Sequence, residues 1–399
     1  MSQREKTSKQ PRYVKRESGR TTKVLGSVIS ITAAVLSCWL TVQLLAAVIT
    51  SSGLGGTGNL QAGSGTTVMD RYDTYVNNAL ADALEDLEGF ERPKKSYWLT
   101  DDVQIAPEPD PERFGSTRNP GDLEPILARA ERLLGITDTL FSTDVKLYGN
   151  SEIVYYLDET ILCITWQELI DNAVYSFSEV KIAHPSQFRR FLADGTYGSD
   201  KLYYTTEMAA TVNAVTASSG DFYKYRSMGV IVYNGEVKRV NDQVDTCYID
   251  EGGNMLFTRI GEITTMEQAQ QFVADNKIRF SLGFGPMLVR DEVNVAPSSY
   301  LLGEVYKKYS RAALAQMGEL HYVMMTVNLS PDEGYRNTLT ITELADFMMR
   351  IGAKQAYALD GGQTAALVMH DRLVNRPDYG TQRKISDIIY FATAIPENE

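Results

Sequence analysis

Tyr357 to Pro377 reads YALDGGQTAALVMHDRLVNRP and sets a carboxylate, two glycines and a hydroxyl between apolar runs. The pattern predicts a buried strand, a glycine turn carrying Asp360, and a returning strand from Ala365 to Met369. Gly361 and Gly362 let the backbone turn sharply and approach a ligand, with amides able to donate to anionic oxygens, and Thr364 adds a hydroxyl. A plain hairpin turn explains the same residues without chemistry. A second acid, Asp221, follows Ser218-Ser219-Gly220 and precedes Phe222-Tyr223. An acid on a glycine turn beside aromatic rings suits a sugar: the rings stack on its apolar face while the acid works at a hydroxyl or the anomeric carbon. The plainer role of Asp221 is to cap local amides. Glu343 stands in Thr340-x-x-Glu343, a capping box at a helix start, and catalysis or substrate contact is its alternative. His184, His321 and His370 are scattered without metal-ligand spacing, so neither zinc nor another cofactor is expected.

The elements that must carry these residues lie in the second half of a 399-residue chain with 43% apolar content. Leu25 to Thr50 is free of charge, and as a helix its roughly 39 Å would cross a bilayer with some tilt. Residues 1 to 24 hold eight Lys and Arg against Glu5 and Glu17, which predicts a cytoplasmic tail and an extracellular remainder at the cell membrane. A signal peptide would have a shorter apolar core and a clearer cleavage site, so the span is expected to stay as a single-pass signal anchor. The remainder is more acidic than the overall net charge of −12, which disfavours nucleic acid as a partner and asks for local arginines if the substrate is an anion. Only Cys163 and Cys247 follow the span, too few for a disulfide scaffold, and their pairing stays open.

Residues 51–67 are expected to form a Gly/Ser/Thr linker, and 68–120 a stalk helix with a proline-rich connector. From 121 to 399 a single strand-rich domain is expected. Its helices are predicted at 122–135, 185–193, 266–275 and 342–351, and the strands between them come in runs. Asn234-Gly235 marks a hairpin between 230–233 and 237–240. Thr264-x-x-Glu267 is expected to cap the third helix. Strands in runs with isolated helices indicate an α+β fold rather than βαβ alternation.

With the elements placed, an ordered set of segments resembles the phosphodiester glycosidase family from about residue 177 to 395. They are SEVKIAHPSQFRR (178–190), SSGDFYKYRSMGVIVYNGEV (218–237), FGPMLVRD (284–291), SRAAL (310–314), TLTITELADFMMRIGAKQAYALDGG (338–362) and QRKISDIIYF (382–391). Ser219 stands where the family commonly has Asn, and Gln363 and Ala365 replace small or hydroxyl residues. The resemblance implies Asp221, Asp360 and Glu343 as catalytic acids. It implies Arg311 and Arg383 as phosphate-binding cations, with Asp387 near a further family position. Gly361, Gly362, Thr364, Phe222 and Tyr223 would complete the substrate site. A guanidinium binds a phosphodiester bidentately, whereas each arginine is otherwise a surface ion-pair partner.

These features predict a membrane-anchored extracellular hydrolase of sugar-1-phosphodiester linkages in cell-envelope glycans. The alternative is a non-catalytic glycan-binding or exopolysaccharide and envelope-assembly protein on the same fold. The enzyme reading requires Asp221 and Asp360 to converge on one hollow.

Overall fold

The computed structural model describes residues 105–395, except 222, 302–304 and 330–337. The basic tail, the apolar span, the linker, the stalk helix and Phe222 lie outside the described residues. Among the described residues no helix is long and apolar enough to cross a membrane.

The largest sheet has nine strands, all antiparallel. Their order is Phe114–Thr117, Ile153–Leu157, Ile161–Ile170, Ala173–Ile182, His321–Leu329, Arg311–Gly318, Gln355–Leu359, Met287–Arg290, Val293–Asn294. Period-two alternation splits its side chains between two cores. Val323, Met325, Val327, Ala313 and Ala315 face one side, where Leu344, Phe347 and Met348 of the helix Ile341–Arg350 and Ala130 of the helix Glu124–Leu134 cover them. Tyr322, Met324, Ala312 and Leu314 face the other side.

That second core is closed by two smaller antiparallel sheets. One has five strands in the order Arg372–Leu373, Leu367–Met369, Thr216–Ser219, Asp387–Phe391, Phe188–Leu192. The other has three: Met255–Thr258, Thr246–Asp250, Ile278–Leu282. Phe188, Leu367, Ile389 and Phe391 point inward, while Ala217, Val368, Ile388 and Tyr390 point outward onto Met208 and Ala209 of the helix Thr205–Thr211. Helix, sheet, sheet and helix thus stack in layers, an α+β arrangement without a parallel strand pair among the described residues.

Most expected elements are present, including the hairpin at Asn234 (φ 50°) and Gly235 (φ 74°). Three differ in ways that bear on function. Residues 188–192 are a strand, not the helix expected over 185–193. His184 and Gln187 do form a capping box, but it serves one 3-10 turn, Pro185–Gln187. Phe188 and Phe191 then need opposite faces of the sheet, and all five residues of the strand are buried. The Asp360 loop is no hairpin: Leu359 pairs with Ala312 in the large sheet, and Leu367 pairs with Ser218 in the five-stranded one. The third helix is capped by Thr265 with Gln268, one residue beyond the expected box. The strand Arg311–Gly318 and the helix Thr205–Thr211 were not anticipated from the sequence.

Candidate active site

Asp360 is the first residue of the segment that crosses between sheets. Gly361 lies so close to the preceding strand that a Cβ there would sit 2.3 Å from the Ser310 carbonyl oxygen. Gly362 takes φ 63°, and its N–H donates to that same carbonyl at 2.9 Å. The glycines therefore serve backbone apposition, and the Gly362 amide is already engaged rather than offered to an anion. Ser310 Oγ donates to the Asp378 carboxylate, and Asn375 accepts from the Leu367 amide at 2.8 Å and donates to the Ala365 carbonyl at 2.7 Å. Both ends of the crossing are pinned.

The crossing forms one wall of a cavity of about 180 Å³ lined by Asp360, Gly361, Gly362, Arg226, Arg311 and Phe284, among others. Thr364 Oγ1 donates to Asp360 Oδ2 at 2.6 Å. Burial pushes Asp360 up to about 6, against that hydrogen bond and the positive fields of Arg383 and Arg226, while the Asp221 charge pushes the same way as burial. An acid poised there can exchange a proton near neutrality.

Asp221 is close enough to act on Asp360 through its charge, but it does not line the cavity. Its side chain has no exposed surface. Oδ1 accepts from Arg190 Nη2 at 2.7 Å and the Tyr223 amide at 3.0 Å, and Oδ2 from the Gly283 amide at 2.6 Å. Arg190 also reaches Asp387 Oδ2, through Nη2 at 2.9 Å and Nε at 3.1 Å. The Asp221 amide donates to Asp387 Oδ2 as well, at 3.1 Å. Gly220 leaves the necessary room, since a Cβ there would lie 1.9 Å from that oxygen. The expected pair of acids at one anomeric centre is thus resolved into one acid in the cavity and one locked behind its wall. Because Gly283 precedes the cavity-lining Phe284, Asp221 ties that wall to the five-stranded sheet. Burial, with Asp221 adding to it, raises Asp387 to about 7 despite Arg190. Two carboxylates on one guanidinium in a dry interior do not both ionise easily.

Arg190 was not singled out in the sequence. Its signal was a pair of arginines inside the apolar pentapeptide FRRFL, which demands buried hydrogen-bond acceptors. Arg226 was also missed; it lines the cavity from the loop after Tyr225. Arg311 lines the cavity too, with Nε and Nη2 donating to the Leu339 and Lys307 carbonyls at 3.0 and 2.8 Å. Arg383 lies over the Tyr225 ring, 5.5 Å from its centroid, and its field reaches Asp360.

Two expected residues are placed elsewhere. Glu343 caps its own helix through Thr340, pairs with Lys308 at 3.2 Å, and borders a different cavity with Asp171 and Asp346. Tyr223 is buried against Leu192, Ile231 and Tyr233, beside the Tyr197 ring, so it offers no platform to a ligand. Among the described residues no three His, Cys, Asp or Glu side chains gather as metal ligands.

A carboxylate in a small cavity under the field of several arginines has the make-up of a hydrolytic site for a negatively charged linkage. Through residues 209–392 the chain matches the model of the phosphodiester glycosidase family. The segment 178–190, which resembles the family by sequence, lies outside the matched stretch. No curated protein matches the sequence. Among solved structures, the catalytic domain of zebrafish N-acetylglucosamine-1-phosphodiester alpha-N-acetylglucosaminidase, auto-inhibited by its pro-peptide, is 15% identical. That match covers 62% of this chain and 86% of the other, with a TM-score of 0.47. A hypothetical protein from Synechocystis is 14% identical, with 58% of this chain and 62% of the other covered and a TM-score of 0.40.

Proposed function

We propose that this protein hydrolyses sugar-1-phosphodiester linkages of cell-envelope glycans at the Asp360 cavity, outside a membrane to which residues 25–50 anchor it. The observation that carries the reading is Asp360 itself, the one carboxylate lining that cavity among the described residues. A glycosyl phosphodiester asks for less acid catalysis than an ordinary glycoside. Its leaving group is a phosphate monoester, stable as an anion, so the bond from the anomeric carbon to the phosphate oxygen breaks without a protonated carboxyl at the leaving side. Ionised Asp360 then stabilises the positive charge growing on the sugar and takes a proton from the water whose oxygen bonds the anomeric carbon as the phosphate monoester leaves. Arg226, Arg311 and Arg383 offset the departing negative charge. The triad of Asp221, Arg190 and Asp387 keeps the opposite wall in register, and its residues do not touch the sugar. The anchor rests on the apolar stretch and its basic flank.

The test incubates the purified full chain with a panel of sugar-1-phosphodiesters and scores free sugar against phosphomonoester. Hydrolysis by wild type, with loss of at least about a hundredfold in Asp360→Asn, is expected. Equal turnover by Asp360→Asn would overturn the assignment. Glycan binding without turnover by wild type would favour the binding protein instead.

A further inference from the structure

Three segments next to the Asp360 cavity each present a tyrosine to solvent. Tyr225 is 45% exposed, Tyr306 71% and Tyr379 81%. Each adjoins the cavity through a neighbour in the chain. Arg226 and Val305 line it, and Asp378 binds the lining Ser310. Two links tie the segment after Tyr379 to the Asp360 crossing. Gln363 Nε2 donates to Thr381 Oγ1 at 3.1 Å, and the Arg383 amide donates to the Gln363 carbonyl at 3.3 Å. Arg383 in turn covers one face of Tyr225.

Tyr379 is the most telling of the three. It holds φ 63° in the turn Asp378–Gly380, a left-handed conformation disfavoured for a bulky residue. The neighbouring Asp378 is buried and fixed to Ser310, so the turn is held from below while the ring stands in water. A large side chain kept at such a position without packing has no role in the core.

We infer that Tyr225, Tyr306 and Tyr379 form a stacking rim for the sugar units flanking the scissile linkage, so that the substrate is a glycan chain and not an isolated glycosyl phosphodiester. This rests on the proposed reaction at Asp360. The chemistry favours a carbohydrate. A tyrosine offers an apolar face to sugar C–H groups and a hydroxyl to sugar oxygens. Each exposed ring has a charged neighbour in the chain, Arg226, Lys307 or Asp378, unlike the contiguous apolar patch that a protein partner covers. A polyanion such as nucleic acid is repelled by a chain of net charge −12.

The test uses the full chain, its Tyr306→Ala and Tyr379→Ala variants and the double variant, with two substrates sharing one scissile linkage. One is a methyl phosphodiester of N-acetylglucosamine; the other carries an N-acetylglucosamine tetrasaccharide on the sugar side. Each substitution should raise KM for the long substrate by roughly two- to tenfold, while kcat/KM for the short one is unchanged. Binding of the phosphate-free tetrasaccharide, followed by saturation-transfer NMR, should weaken in parallel. Equal effects on both substrates, or none on either, overturn the rim. Rim-dependent tetrasaccharide binding without hydrolysis of either substrate supports the rim and overturns the reaction. Binding of the tetrasaccharide that the double variant leaves intact overturns the rim whether or not hydrolysis occurs.

Discussion

Ionising Asp360 works against its burial, and that conflict has opposite consequences for activity and stability. The carboxyl is pushed up to about 6 in the fold, above the 3.8 of an unperturbed aspartate. Between those values the folded state holds the proton and the unfolded state has released it. Stability contributed by this group is therefore present below about pH 4 and is lost as pH rises through 6. Activity that needs the ionised form runs the other way, rising through the same interval. Asp360→Asn keeps the shape and removes the charge. It should abolish turnover yet raise the melting temperature at pH 8 relative to wild type, with little difference at pH 4. Thermal unfolding at the two pH values checks this. A variant destabilised equally at both would mean that Asp360 is held by its hydrogen bonds rather than strained by its charge.

At the scale of elements, the crossing from Gln355–Leu359 to Leu367–Met369 is what brings an acid and its arginines together. Gly361 has φ −98°, open to any residue, so its requirement is purely steric: no Cβ fits beneath the Ser310 carbonyl. Gly361→Ala should push the crossing off the strand Arg311–Gly318, costing about 1–3 kcal/mol and at least tenfold in activity. Denaturant unfolding and kinetics on the same preparation measure both. Unchanged stability would show that the strand yields, and the close approach would then be dispensable. Asp360 was legible because its glycine turn falls within an ordered set of family-like segments, but the turn alone could not tell a crossing from a hairpin. Both need strand, glycine turn and strand, and the difference lies in distant partners, Ala312 and Ser218. Arg190 was hidden for a related reason. His184-Pro185 reads as a helix start, and only the burial of Phe188 and Phe191 on opposite faces forces an extended backbone. The long strands and the Asn234-Gly235 turn were legible because periodicity and turn chemistry are local. Glu343 shows the reverse case, a capping pattern whose local role accounts for its placement.

Across the whole molecule, the large sheet and the two small ones share one core, and two thiols report on whether those layers separate. Cys163 belongs to the nine-stranded sheet and Cys247 to the three-stranded one, and both side chains point into that common core. They are unpaired and buried. Burial pushes the Cys163 thiol up to about 12 and raises Cys247 well above its ordinary value, so neither supplies thiolate at neutral pH. A water-soluble alkylating reagent should therefore reach them only when the sheets part. If the layers open as one cooperative unit, peptide-resolved mass spectrometry of the full chain will find both cysteines labelled at one rate, which falls to the global unfolding limit in native buffer. The three-stranded sheet supplies Gly283 to Asp221 and Phe284 to the cavity. Faster labelling of Cys247 would mean that this sheet opens by itself, and that the cavity wall it carries is a movable part rather than a fixed one.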